Sequence, residues 1–100
     1  MLTCFDVAEY FLAKMDDAAG DAITNLQLQK LVYYAQGFSL AIIGKPLFEE
    51  EFEAWQHGPV ITALYLKYEA YGAFGIELPK DFDESKFFAE QKDIMNQVYK

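Results

Sequence analysis

Leu26–Gly44, LQLQKLVYYAQGFSLAIIG, is the longest strongly apolar stretch of the chain, and its polar residues interrupt it at helical intervals. Leu28, Leu31, Val32, Ala35, Phe38 and Ile42 follow the three-then-four spacing of one helical face, while Leu26, Tyr33, Leu40 and Ile43 load the opposite side. A helix apolar on nearly every side belongs in an interior. The spacing therefore predicts a compact bundle around a central buried helix, over about residues 26–43. Gln27, Gln29, Lys30 and Gln36 make it too polar for a membrane span, which takes about 18 or more nearly unbroken apolar residues. Gly37 inside it costs about 1 kcal/mol relative to alanine, which predicts that another segment lies close against the bare backbone there.

Working outward, Thr3-x-x-Asp6 reads as a capping start. In the helix that follows, Cys4, Val7, Phe11 and Met15 form one apolar row, Phe5, Ala8 and Leu12 adjoin it, and Asp6, Glu9 and Lys14 face water. Asp16 to Thr24 breaks the pattern and is expected to be a loop, and Thr24-x-x-Gln27 is a second capping box. Gly44 supplies a left-handed cap, and Pro46 prevents continuation. From Phe52 to His57 the apolar period becomes two, the mark of one short strand or extended arm. Gly58-Pro59 then reads as a turn, with the proline starting a helix that carries Ile61, Leu64, Tyr65 and Tyr68 on one face and stops at Gly72.

After an expected loop over Ala73–Asp83, Asp83 or Ser85 caps a last helix in which Phe87, Ile94 and Val98 lie beside Phe88, Met95 and Tyr99. That helix meets no stop signal before Lys100, so the domain reads as truncated, and Val98 with Tyr99 would form an exposed strip able to pair with a second copy as a homodimer. The fold class is mainly α with minor β, in a single domain over residues 1–100.

One hundred residues can remove roughly two-thirds of the unfolded chain's surface from water. A single cysteine excludes an internal disulfide, and the start MLTCFDVAEYF has no basic segment leading into an apolar run, so a cytoplasmic protein is expected. The net charge is −8, with no arginine anywhere. Arginine is the commonest reader of guanine and a frequent phosphate clamp, and an acidic field repels a polyanion. Direct nucleic-acid binding is therefore disfavoured and a basic protein partner favoured. Aromatic residues make up 17% of the chain, too many rings for one small core, so some are expected at a recognition surface.

Chemistry-bearing sets are few. Cys4 and His57 are the only thiol and imidazole, and no local motif adds the orienting group and oxyanion site that a cysteine enzyme needs. Cys4 on an apolar row reads as core. One histidine and one cysteine do not make a structural zinc site, and Glu49, Glu50, Glu51 and Glu53 read as a solvated acidic face rather than a cation site. No catalytic residue, metal or cofactor is expected. Trp55 to Pro59 leaves two readings open: either Trp55 packs over Gly37 and His57 starts a turn, or the arm presents its aromatic and imidazole groups to a partner.

Four segments carry a family resemblance: LQKLVYYAQ (Leu28–Gln36), GKPLF (Gly44–Phe48), EAWQHGPV (Glu53–Val60), and Leu64 with Tyr65. In that order they resemble the Panacea domain, also called the SocA-like antitoxin domain, closely over about residues 25–72 and loosely over the first helix. The resemblance implies a mainly helical antitoxin of a bacterial or phage toxin–antitoxin pair, with a cognate protein toxin as partner. In the founding case the antitoxin is an adaptor that hands its toxin to a ClpXP-type protease. The family's recurring positions fall here on Tyr33, Tyr34, Gln36, Trp55, His57, Gly58 and Pro59, the candidate partner-binding residues. Such domains usually continue into a further helical segment.

Overall fold

Thr24 opens the helix on which the other elements pack. Its hydroxyl accepts the Gln27 amide while the Gln27 side chain accepts the Thr24 amide, which satisfies two donors that have no helical acceptor. Helix α2 runs from this box over Asn25–Ile42. Helix α1, Cys4–Ala19, starts from the equivalent exchange between Thr3 and Asp6 and continues through Asp16, where a loop was expected. Strands β1 (Glu53–Trp55) and β2 (Gly58–Val60) form an antiparallel pair, followed by α3 (Thr62–Tyr68), short 3-10 turns at Glu69–Tyr71 and Glu84–Lys86, and α4 (Ala89–Tyr99). The computed structural model describes residues 1–19, 23–56, 58–71 and 82–99. His57, the stop at Gly72 and most of the expected loop over Ala73–Asp83 lie outside the described residues.

The mainly α class with a minor sheet agrees with the spacing, and α2 touches α1, α3, α4 and β2. The core joins Cys4, Val7 and Phe11 of α1 to Leu28, Val32 and Ala35 of α2, with Leu47, Phe48, Leu64, Phe87 and Met95 closing round them. Fully burying one such aliphatic or aromatic side chain contributes about 1.5–3 kcal/mol.

Several expectations need correction. The central helix is buried on one face only: Leu26, Tyr33, Tyr34, Phe38, Leu40 and Ile42 are exposed. The buried arc is Asn25, Leu28, Gln29, Val32, Ala35 and Ser39, and at about 100° per residue Phe38 lies well outside it. Leu28, Val32 and Ala35 of the expected row are buried, but the centre of the buried face is displaced from the row because three polar residues share that face. Nothing among the described residues lies within 4 Å of where a Cβ at Gly37 would be, so the expected close approach is absent.

The single arm is half of a hairpin, and Gly58 and Pro59 belong to its second strand. Gly58 adopts φ +119°, open to glycine, and Pro59 stands opposite Ala54 in a two-stranded sheet, where a missing N–H is tolerated at an edge. Helix α3 consequently starts at Thr62 rather than at the proline. Asp83 accepts both the amide and the hydroxyl of Ser85 and so caps the second 3-10 turn, while α4 begins after Phe88, whose N–H donates to Gln91. Val98, expected on an exposed strip, is half-buried against the core.

Candidate functional site

The connection after α2 doubles back along that helix and is fastened to it by side chains. Gly44, at φ +81°, turns the chain, and its amide, like that of Ile43, donates to the Ser39 carbonyl. The Ser39 hydroxyl donates to the Lys45 carbonyl at 2.6 Å. Gln36 accepts from the Leu47 amide at 2.7 Å and donates to the Phe48 carbonyl at 2.8 Å. One turn earlier the Tyr33 ring meets Phe52 edge to face, with centroids 5.1 Å apart. Gln29, fully buried, accepts the Ile61 amide and donates to Asn25, which in turn donates to the Tyr65 carbonyl. Asn25, Gln29, Gln36 and Ser39 thus share one edge of α2, and each holds backbone that would otherwise lack a partner. The segment from Lys45 to Phe52 is pinned as a rigid wall beside the helix.

This fastening leaves the adjoining face of α2 uncovered. Tyr34, 52% exposed, and Phe38, 39% exposed, stand with Leu40, Tyr33 and Phe52 around an open hollow of about 400 Å³ in which Gly37 takes part. The Tyr33 and Tyr34 rings lie 5.8 Å apart. Lys30 is the one charged residue of α2.

Of the seven candidate residues, Tyr33, Tyr34 and Gln36 come together at this hollow, although the Gln36 amide is engaged by the wall. Trp55, Gly58 and Pro59 form a second group on the hairpin. Trp55 is 39% exposed and packs on Tyr65 with ring centroids 5.0 Å apart, not over Gly37. His57 lies outside the described residues. The sequence reading passed over Gly37, Phe38, Leu40 and Phe52 as site members. A usable signal was there: a glycine among large apolar residues, on a helix with a single charge.

The remaining chemistry is arranged for structure. Cys4 is fully buried, and burial, reinforced by the Glu50 carboxylate, pushes its thiol up to about 12. Glu50 accepts the Cys4 amide at the start of α1, where a negative charge is favourable. Glu53 accepts the Thr62 hydroxyl. The ion pairs among the described residues join Lys14 and Lys92 to Glu84, Lys67 to Glu9, and Lys86 to Asp6. None involves Glu49, Glu51 or Glu53, nor Lys45 at the other end of the wall. Among the described residues no three His, Cys, Asp or Glu side chains gather as a metal set would, and no helix is long and apolar enough to cross a membrane.

Residues 28–100 match the family model described as antitoxin SocA-like, Panacea domain. Over 50 residues the chain is 48% identical to Antitoxin SocA of Caulobacter vibrioides (strain NA1000 / CB15N), a stretch covering 50% of this chain and 27% of that relative. The match thus spans about a quarter of the length of the curated relative. No solved structure matches.

Proposed function

Starting from the fact that this chain belongs to the family of SocA-like antitoxins, as a Panacea domain, we propose that it neutralises a cognate protein toxin by direct binding in the cytoplasm, with no bond-making step of its own. The observation that carries this reading is the uncovered aromatic face of α2 beside a fastened wall. Exposed tyrosine and tryptophan on a rigid support are what a protein-binding surface uses, because little side-chain freedom is lost on contact. The acidic balance favours a basic partner and disfavours nucleic acid. Co-expression with a toxin encoded beside it tests the proposal: relief of growth arrest supports it, and unrelieved arrest with soluble antitoxin present rejects it.

A second reading, a proteolytic adaptor that delivers the toxin to a ClpXP-type protease, is favoured by a separate apolar patch. Phe88, 71% exposed, and Met1 line a shallow hollow with Leu2, Asp6, Lys86 and Gln91. An adaptor needs two surfaces at once. Toxin half-life measured with and without the protease separates the readings: shortening requires the adaptor, and unchanged turnover leaves sequestration alone.

A further inference from the structure

The geometry points to the outer edge of β1 as the seat of an extended segment of a partner protein, laid down antiparallel as a third strand with an apolar side chain beside Trp55. Proline decides which way this edge faces. Pro59 stands opposite Ala54 and has no N–H, so that pair does not exchange hydrogen bonds, and the ladder runs through the flanking pairs Trp55–Gly58 and Glu53–Val60. The N–H and C=O of Ala54 therefore point away from β2. Among the described residues nothing pairs with either group, and Ala54 is exposed. The far edge of β2 offers no such place, because β2 lies against α2 and Val60 is buried.

A donor and an acceptor on one outward-facing residue match an antiparallel strand, which returns both bonds from a single residue of its own. Open edges are commonly guarded by proline or lysine. Here the proline stands on the covered strand, and β1 has neither. Side chains then narrow the choice of occupant. Glu53 and Trp55 both reach α3, through the Thr62 hydroxyl and the Tyr65 ring, so Ala54 faces the other side of the hairpin. A partner residue paired with Ala54 sets one neighbour beside Trp55, where an apolar side chain gains a cross-strand contact, and the other beside Glu53, where an acidic one is repelled.

A second copy fits worse. Two-fold pairing about Ala54 would put each Trp55 opposite the other copy's Glu53 and bring together two chains of net charge −8. The inference rests on the antitoxin reading for the identity of the natural partner, a toxin, but the edge is tested without it.

Trp55 is the single tryptophan of the chain, so its fluorescence reports occupancy of the edge. The probe is a capped peptide of about eight residues alternating threonine and valine, within the usual length of a strand. With its valines on the Trp55 side, its threonine amides are the ones that meet Ala54. The peptide is therefore expected to shift Trp55 emission saturably. N-methylation of the valine amides should leave binding intact, and N-methylation of the threonine amides should abolish it. Ala54→Pro removes the outward N–H and no hairpin bond, so it should keep its melting temperature and bind the peptide about fivefold more weakly or worse. No binding of the plain peptide, equal binding with the threonine amides methylated, or undiminished affinity of Ala54→Pro would overturn the proposal. The methylated peptides decide it on the unaltered protein should Ala54→Pro fail to fold. A parent that sediments as a dimer and an Ala54→Pro variant that sediments as a monomer would give the edge to a second copy and overturn it too. In toxin co-expression, rescue by the parent but not by a folded Ala54→Pro supports the edge, and rescue by both rejects it as the toxin's seat while the antitoxin reading stands. Failure of the parent to rescue rejects the antitoxin reading, and the peptide titration still decides the edge.

Discussion

Gln36 accepts a 2.7 Å hydrogen bond from the Leu47 amide, and the same side chain donates to the next carbonyl, that of Phe48, at 2.8 Å. An amide donor and a carbonyl acceptor in sequence leave one orientation of the glutamine that satisfies both. Gln36→Ala removes both bonds and strands two backbone groups beside the buried Leu47 and Phe48. The expected loss is about 2–3 kcal/mol of unfolding free energy, read from urea denaturation. Gln36→Glu keeps the acceptor and should fall between the parent and the alanine variant.

Trp55 packs on Tyr65 at the surface and is 39% exposed. An aromatic pair of this kind contributes about 0.5–1.5 kcal/mol beyond area burial. Trp55→Ala should therefore lower the melting temperature slightly while toxin rescue is lost. A large drop in melting temperature would make Trp55 a structural residue instead.

Cys4 is fully buried with its thiol pushed up to about 12 by burial and by Glu50. At pH 8 the native thiol should resist iodoacetamide, and modification should rise only as denaturant unfolds the chain. Rapid alkylation of the native protein would contradict the packing of α1 against the wall.

Asp6 and Lys86 tie the start of α1 to the second 3-10 turn at 2.8 Å. Burial works against ionisation of Asp6, but the Lys86 ammonium and the Thr3 donors outweigh it and hold the carboxyl below its ordinary value. The hydrogen bond to Asp6 holds Lys86 above its own. A depressed carboxyl stabilises the fold above its unfolded pKa, about 3.9, and that contribution fades as pH falls through the lower folded value. The lysine contribution is full below about 10.4 and fades as pH rises through the raised value. Urea midpoints across pH should show both limbs, and Asp6→Asn should flatten them.

Much of the architecture is legible in the sequence because capping chemistry and apolar spacing are local. Thr3/Asp6 and Thr24/Gln27 form the boxes their spacing calls for, and the row Cys4, Val7, Phe11 is buried as its period requires. The face of α2 was misplaced for a physical reason. Hydrophobicity alone treats Asn25, Gln29 and Ser39 as outward, whereas each is buried by bonding to another side chain or to non-helical backbone. The same substitution of bonding for apolarity hid the candidate site. Phe38 and Ile42 were assigned to a core already filled by Leu28, Val32 and Ala35, and Gly37 was read as a contact when it is an opening. Gly58-Pro59 misled because a glycine–proline pair signals a turn locally, and its pairing with Ala54 and Trp55 is tertiary.

Hydroxyl-radical footprinting of the free protein and of its complex with the cognate toxin measures the central claim directly, because it reports side-chain exposure ring by ring. Complex formation should protect Tyr34 and Phe38 on the open face of α2 and leave Phe88 reactive. Unchanged labelling of Tyr34 and Phe38 in a toxin-bound sample would contradict the account.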